Sequence, residues 1–282
     1  MKLFKRGKTV RSEKIALRKR KRFIFLLSLA LGIVVVLGGL ITWASYRPSL
    51  QITDVVIHGN SVISDSQIRE VVTASLSGKY FFLFPRANTA IYPEIEIESE
   101  ILNRFRQIAS VDIVRRDLKT LSFEIEEQKP HALWCVTMST EVESTARDCY
   151  FINADGLVFS KAPNFTGNVF FRFHGDVDEQ EPIGAYYLKV NNEFNKIRVL
   201  IDSLLGSDFG VHPIELHLLG EDDIEMRLED GGKILFARKQ SSSEVLDNLK
   251  TVLLSETFKK EAMQNIEYID LRFGNKVYFK LR

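Results

Sequence analysis

Residues 23–43 contain no charged side chain, and this run constrains the fold of the chain more than any other feature. A helix rises about 1.5 Å per residue, so 21 residues would span about 31 Å, the thickness of the hydrocarbon core of a bilayer. Only a helix satisfies its own backbone polar groups within lipid. The sequence therefore predicts one transmembrane helix over 23–43, and its length disfavours the alternative of a cleaved signal peptide.

Charge predicts the orientation of this helix. Residues 1–22 hold eleven Lys or Arg and a single acid, Glu13, so the positive-inside rule keeps this basic tail in the cytoplasm. We expect the tail to contact membrane lipid. The residues from 44 onward carry a net charge of −9, which argues against nucleic-acid binding by this part. The sequence thus predicts a single-pass protein of the plasma (inner) membrane, with its C-terminal part outside the cytoplasm.

Two cysteines, Cys135 and Cys149, follow the membrane helix. Outside the cytoplasm a disulfide can form and persist. Each cysteine lies in a strand-like run, and pairing of the two runs as a hairpin would bring the sulfur atoms within reach. We interpret the pair as a disulfide candidate, with two reduced thiols as the alternative. Neither cysteine has a partner at the spacing of zinc ligands, so we predict no metal site.

The pattern of apolar residues predicts an α+β fold. Residues 50–129 read as β-α-α-β-β, which suits a small two-layer domain. Ser64 with Gln67 forms a capping box, and we expect the aromatic run 80–85 to serve packing rather than ligand binding. From His131 onward strand signals dominate, interrupted by two amphipathic helices. The prediction is an N-terminal single transmembrane helix, the small domain, and then a larger, mostly antiparallel β domain with two helices.

Catalytic patterns are missing from the sequence. None of the five histidines stands in HExxH, and there is no G-x-S-x-G, S-x-x-K or P-loop. Acidic runs such as 221–223 are typical of solvated faces. We therefore predict no enzyme and no cofactor. An anchored cell-wall enzyme that uses two buried carboxylates is kept as an alternative.

Several segments outside the membrane helix resemble one known family, and they lie at 55–60, 64–68, 111–130, 151–156, 268–273 and 277–279. The first three resemble a polypeptide-transport-associated (POTRA) domain, in which an Arg near one strand end is paired with a Glu-x-x-Pro, here Glu127 to Pro130. The fourth resembles the hairpin that begins a second β domain, and the last two are similar to its terminal strands. On these motifs the chain resembles the bacterial cell-division protein family FtsQ/DivIB.

This resemblance implies a division of the chain into a POTRA domain at 44–129 and an FtsQ-type β domain at 130–282. It implies a non-enzymatic divisome scaffold at the division septum that links early and late division proteins. The β domain would bind FtsB/FtsL-like bitopic division proteins. The POTRA domain would help to localise the protein and could bind other divisome proteins. A membrane-tethered POTRA-type assembly or chaperone factor is the alternative.

The last predicted strand, 276–282, indicates how a partner would bind. It alternates apolar and polar residues, and the final strand of a chain is free to form the edge of a sheet. An open edge offers unpaired backbone groups to a partner strand. The alternative is that the apolar residues are plain core. By motif, the predicted partner-binding residues are Tyr268, Arg272, Phe273, Val277, Tyr278 and Phe279.

Overall fold

The computed structural model describes residues 13–136, 148–189, 192–207, 210–255, 258, 265–274 and 276–282. Much of the predicted cytoplasmic tail, and the polar stretch between the two cysteines, therefore lie outside the described residues. The chain divides into two compact units, one made of residues up to 60, 64–101 and 111–124, the other of 61–63, 102–110 and 125–282. This division runs through the strand predicted to close the first domain, so a boundary at 129/130 stays a prediction.

The first element, α1 (Glu13–Ser45), is the predicted N-terminal apolar helix. Its segment Arg18–Ser45 is long and apolar enough to cross a membrane. Apolar side chains around its whole circumference are exposed, for example Phe23 at 67% and Val35 at 66%. A helix that is apolar on every face needs an apolar environment. The helix is confirmed, and it fits a single-pass membrane protein.

A three-stranded sheet with two helices follows, and it keeps the predicted β-α-α-β-β order with one short hairpin inserted. Its elements are β1 (Asp54–His58), α2 (Asp65–Leu76), β2 (Lys79–Tyr80), β3 (Phe84–Pro85), α3 (Glu94–Arg104), β4 (Ile108–Arg115) and β5 (Thr120–Glu127). The sheet order is β1-β5-β4, with β1 parallel to β5, and the hairpin β2-β3 stands apart. Each helix buries one face, which includes Ile68 and Val72 of α2 and Ile97 and Ile101 of α3.

Local signals explain where α2 begins. Ser64 is its N-cap, and the predicted capping box is present, with the backbone N–H of Ser64 donating to Gln67 Oε1 at 3.2 Å. The box satisfies backbone donors that the first turn leaves without helical partners. The aromatic run that follows α2 is a correction to the sequence prediction. Phe81 and Phe82 are 86% and 93% exposed, so they do not pack in the core.

The carboxylate of Glu127, at the end of β5, holds the loop after β1. It accepts hydrogen bonds from the backbone N–H groups of Ser61 at 2.9 Å, Val62 at 2.9 Å and Ile63 at 3.2 Å. Burial opposes ionisation of this group, but the hydrogen bonds outweigh it and lower the pKa of Glu127. Converging backbone donors of this kind are a common anion cradle. The Glu of the Glu-x-x-Pro motif therefore has a structural task within the fold.

A nine-stranded sheet forms the larger part of the chain, and its strand order is β14-β13-β12-β11-β10-β9-β6-β7-β8. The elements are β6 (Ala132–Cys135), β7 (Cys149–Ile152), β8 (Val158–Lys161), β9 (Arg172–His174), α4 (Glu193–Leu205), β10 (Pro213–Leu219), β11 (Asp223–Leu228), β12 (Lys233–Ala237), α5 (Ser242–Leu253), β13 (Ile266–Phe273) and β14 (Lys276–Leu281). The pairs β12-β13, β9-β10 and β6-β9 are parallel; the others are antiparallel. The predicted α+β class, with a mostly antiparallel β region carrying two helices, is confirmed.

One hydrophobic core joins this sheet to α4 and α5. Phe194 and Leu204 of α4 and Leu249 of α5 are buried together with strand residues such as Trp134 and Ile269. The N-cap residues are Asn192 for α4 and Ser241 for α5, and each helix buries apolar residues at helical spacing. Helix α5 packs against β13. Helix α4 packs nearer the middle of the strand order, where the ring centroid of Phe194 lies 5.4 Å from that of Phe173 in β9.

The two cysteines lie opposite each other in the hairpin β6-β7. Cys135 pairs with Cys149 in register, and their sulfur atoms are bonded. The hairpin is anchored beside them by Trp134, which is fully buried and donates from Nε1 to the carbonyl oxygen of Gly175 at 2.8 Å. The bond closes a loop with a sequence separation of 14 residues. The bond therefore reduces the number of conformations open to the unfolded chain between β6 and β7. Strand β6 also contributes Trp134 to the core.

Reduction of this disulfide should lower the stability of the larger unit. For a loop of about 15 residues the entropic model gives a loss of about 3 kcal/mol in the free energy of unfolding. The measurement is urea unfolding of the full chain in detergent, followed by tryptophan fluorescence, with and without a thiol reductant. The Cys135→Ala/Cys149→Ala variant is the control and should be insensitive to the reductant. An unfolding midpoint that reductant leaves unchanged in the wild-type chain would contradict the prediction.

Candidate functional site

The C-terminal hairpin forms one end of the nine-stranded sheet. Strand β14 pairs antiparallel with β13, from Ile266 opposite Leu281 to Phe273 opposite Lys276. Within the part of the chain that the structure describes, no strand pairs with the other side of β14. Strand β14 is thus an edge strand, and its outer side presents backbone donors and acceptors that the sheet does not use.

The direction of one hydrogen bond identifies the residues that present these groups. The backbone N–H of Arg282 donates to the carbonyl oxygen of Asn265 at 2.8 Å, so it points toward β13. Both register shifts add their extra residues to β13, so β14 alternates without interruption. Backbone groups of successive strand residues point to opposite sides. The N–H and C=O groups of Val277, Phe279 and Leu281 therefore face the open side.

The side chains of β14 divide between the core and the solvent. Val277 and Phe279 are half-buried and pack against the core, where the Phe279 ring meets the ring of Phe258 with a centroid distance of 5.5 Å. On the solvent-facing side, Tyr278 is 52% exposed and Phe273 is 55% exposed. The rings of these two residues meet edge to face with a centroid distance of 5.3 Å. An exposed aromatic pair therefore lies beside the open backbone edge.

The other two predicted residues are placed on β13. Tyr268 is half-buried and lies opposite Lys280 in the register. The guanidinium of Arg272 is engaged within the fold, donating from Nε and Nη2 to Asp270 at 2.9 and 2.6 Å, and from Nη1 to Asp223 at 2.6 Å. A bidentate arrangement of this kind is strong and geometrically demanding. Arg272 therefore links β13 to the start of β11, and its guanidinium is already hydrogen-bonded within the fold.

The electrostatics of this cluster follow from its hydrogen bonds. The contacts with Asp270 and then Asp223 raise the pKa of Arg272, against the opposing effect of burial. Burial alone would raise the pKa of Asp270, but the hydrogen bonds and charge of Arg272 outweigh it, and the pKa of Asp270 is lowered. Asp270 is 6% exposed, so its carboxylate is largely desolvated, whereas the Arg272 side chain is 30% exposed. The two aspartates were missed by sequence reasoning, which found only the arginine.

One group of residues away from the edge has the composition of a metal site. Ligand atoms of His174, Glu215 and His217 all lie within 4.8 Å of one another. The two imidazole rings are stacked, with centroids 4.1 Å apart and an interplanar angle of 5°. Each ring can offer its lone pair only in its own plane, so two parallel planes cannot direct both lone pairs at one ion. Arg172 Nη1 also donates to Glu215 at 3.0 Å. As placed, these residues are not a cation site.

Comparison with known protein families matches residues 142–272 to the description "Cell division protein FtsQ/DivIB, C-terminal". No curated protein matches the chain. The matched residues include Tyr268 and Arg272 and end just before Phe273, so β14 lies beyond them. The fold defines an α+β protein with an apolar N-terminal helix and an open-edged sheet.

Residues 142–272 are thus similar to the C-terminal domain of the FtsQ/DivIB family of cell division proteins. That family is a non-catalytic family of the division septum, and the match implies a cell-division scaffold role for the chain.

Replacement of Asp270 should destabilise the sheet end in a pH-dependent way. We expect Asp270→Asn to lower the free energy of unfolding by about 2 kcal/mol at pH 7, because hydrogen bonds to charged groups are lost. The pKa of Asp270 is lowered on folding, so its stabilisation is present above the unfolded-state value of about 3.9 and is lost as the pH falls through the folded-state pKa. The difference between variant and wild type should therefore shrink on acidification.

Urea unfolding of both chains at pH 7 and at acidic pH gives this difference directly. The matched control is Asp247→Asn on the exposed side of α5, which should change the free energy of unfolding by less than about 0.5 kcal/mol. Equal stability of Asp270→Asn and wild type at pH 7 would show that the ionic cluster does not hold the sheet end.

Proposed function

We propose that the chain is a single-pass divisome scaffold with residues 1–22 in the cytoplasm and 44–282 outside it. The membrane is the plasma (inner) membrane at the division septum. The eleven basic residues that precede the apolar run support this orientation, and similarity to a septal family supports the location. In this proposal residues 44–129 form a POTRA domain open to other divisome proteins, and 130–282 form the FtsQ-type β domain.

The partner-binding surface in this proposal is the open edge of β14. FtsB/FtsL-like bitopic division proteins bind there by adding a strand to the sheet. The observation that carries the proposal is that Val277, Phe279 and Leu281 direct their N–H and C=O groups away from β13. A partner strand can pair with these groups and leave the hydrogen bonds between β14 and β13 in place. In this proposal the protein links early and late division proteins by binding its partner at this edge.

Side chains beside the edge supply specificity. The exposed pair of Phe273 and Tyr278 offers aromatic area of the kind enriched in protein interfaces. Lys276 and Arg282 add positive charge at the two ends of the strand, so we expect acidic side chains in the partner strand. Lysines on an edge also discourage indiscriminate pairing. In this proposal Val277 and Phe279 contribute their backbone, while their side chains remain in the core.

A proline at position 281 tests the strand addition. Leu281 is 42% exposed and its N–H faces the open side, so Leu281→Pro removes one edge donor and keeps the pairing of β14 with β13. We expect partner binding to weaken at least tenfold relative to Leu281→Ala, which removes the side chain but keeps the amide. The measurement is isothermal titration of the full chain in detergent with purified extracytoplasmic segments of the FtsB- and FtsL-like proteins of the same bacterium.

The comparison of proline with alanine at one position separates the backbone from the side chain. Tyr278 is unsuitable for the proline test, because its N–H points toward β13 and its loss would damage the hairpin. Thermal unfolding of both variants verifies that the fold is retained. If Leu281→Pro binds the partner as tightly as Leu281→Ala, pairing at this edge is not how the scaffold captures its partner.

A second test addresses the exposed aromatic pair. We expect Tyr278→Ser to weaken partner binding by about tenfold, because aromatic anchors at interfaces commonly contribute 1–2 kcal/mol or more. Tyr186→Ser is the matched control: Tyr186 is 42% exposed and lies outside the β13-β14 hairpin. Titration of both variants with the same partner segments measures the effect. Equal losses for the two variants would indicate a general change in the protein rather than a contact at the edge.

A further inference from the structure

The hairpin β2-β3 carries two phenylalanines at its tip that none of the described residues covers. Phe81 and Phe82 are 86% and 93% exposed, more than any other large apolar residue described for the chain. Both have a positive φ, 48° and 62°, a region that bulky side chains seldom adopt. The turn is closed by a hydrogen bond from Leu83 N–H to the Tyr80 carbonyl at 2.9 Å. The fold therefore maintains an unfavourable conformation that displays two aromatic rings.

The base of this hairpin is fastened to the end of α1. The carbonyl oxygen of Ser45, in the last turn of the helix, accepts hydrogen bonds from Gln51 Nε2 at 2.6 Å and from Asn88 Nδ2 at 3.0 Å. Ser45 and Asn88 are both buried. Lys79, the first residue of the hairpin, places its Nζ 5.1 Å from the ring centroid of Tyr46. The hairpin thus has a fixed position at the level where α1 ends.

The residues around this junction have the composition of a membrane–water interface. The Arg47 guanidinium lies 3.9 Å from the ring centroid of Trp43, and the Arg86 guanidinium lies 5.4 Å from that of Tyr80. Aromatic rings with basic residues are typical of the headgroup region, where an apolar body and a charged end are both accommodated. These aromatic and basic residues run from Trp43 in α1 to Tyr80, which directly precedes the hairpin tip.

We propose that Phe81 and Phe82 insert into the outer interface of the membrane that α1 crosses, as a second membrane contact of the first unit. The inference rests on the proposed transmembrane orientation of α1. Strands of two residues place the tip about 7 Å from the hairpin base, and the interfacial layer on each side of the hydrocarbon core is about 5–8 Å thick. The occupant of the tip in this proposal is the lipid surface that α1 crosses, because the hairpin base lies at the end of α1 and the membrane interface accommodates aromatic rings favourably.

Lipid-borne quenchers test the proposal on the full chain. The two native cysteines are bonded to each other, so an introduced cysteine is the thiol that reacts with an environment-sensitive fluorophore. Labels are placed by Phe82→Cys at the tip, by Val34→Cys in the middle of α1 and by Ser66→Cys at the start of α2. Each labelled chain is reconstituted into vesicles of phosphatidylethanolamine and phosphatidylglycerol that contain nitroxide lipids with the quencher near the headgroup or deep in the acyl chain.

Ser66 is a control at a suitable distance, because the hairpin follows the other end of α2, which has 12 residues and is about 18 Å long. We expect the label at 82 to be quenched more by the shallow than by the deep nitroxide, and at least about twofold more than the label at 66. The label at 34 should show the opposite depth preference. A label introduced by Phe81→Cys should repeat the result at 82, which guards against an effect of one substitution on the turn.

The failures of the two proposals are distinguishable. Quenching at 34 but none at 82 would overturn the membrane contact of the tip and leave the topology intact. An emission shift at 82 that no lipid quencher reaches would also overturn it, since the tip would then be covered by protein. Absence of quenching at both 34 and 82 would overturn the transmembrane assignment of α1, and the inference with it.

Discussion

The ionic cluster of Arg272 with Asp270 and Asp223 is the interaction on which the C-terminal edge depends. Among the described strands, β14 pairs with β13, and a two-stranded hairpin by itself is marginal in water. The edge is therefore as rigid as the attachment of β13. Arg272 of β13 binds Asp223 at the start of β11, which is two places away in the strand order. The contact therefore adds to the pairing of β13 with β12.

The alternation of a β-strand makes the two interpretations of the last strand compatible. Val277 and Phe279 were considered either as partner-binding residues or as plain core. Their side chains are half-buried against the core, while their backbone groups face the open side of β14. Side chains and backbone groups both alternate with a period of two, but in perpendicular directions. The same residues can therefore anchor the strand and leave its edge unpaired, whereas Tyr278 has its side chain exposed and its backbone engaged.

The sequence predicted those features whose causes are local. The apolar run of α1, the capping box at Ser64 and the alternation of β14 depend on neighbouring residues, and all three appear as predicted. Asp223 was interpreted as part of a solvated acidic run, because its partner Arg272 is 49 residues away in sequence. Asp270 carried a usable signal: it stands two residues before Arg272, on one side of the same strand. The prediction that Phe81 and Phe82 serve packing was wrong, because aromatic residues are usually buried. No local sequence pattern indicated a turn with positive φ values at these two residues.

The junction at Ser45 bears on how firmly the first unit is held. A single helix fixes the distance of a domain from the bilayer but leaves rotation about the helix axis and tilt against the surface unrestrained. Two side-chain amides bind the last carbonyl of α1, which makes the helix and the first unit turn together. A second contact at the hairpin tip would restrict tilt to one direction, since two separated points on a plane permit rotation only about the line that joins them. The strained turn at Phe81 and Phe82 would then have a physical reason, because strain of this kind persists where the surrounding structure and its surface require it.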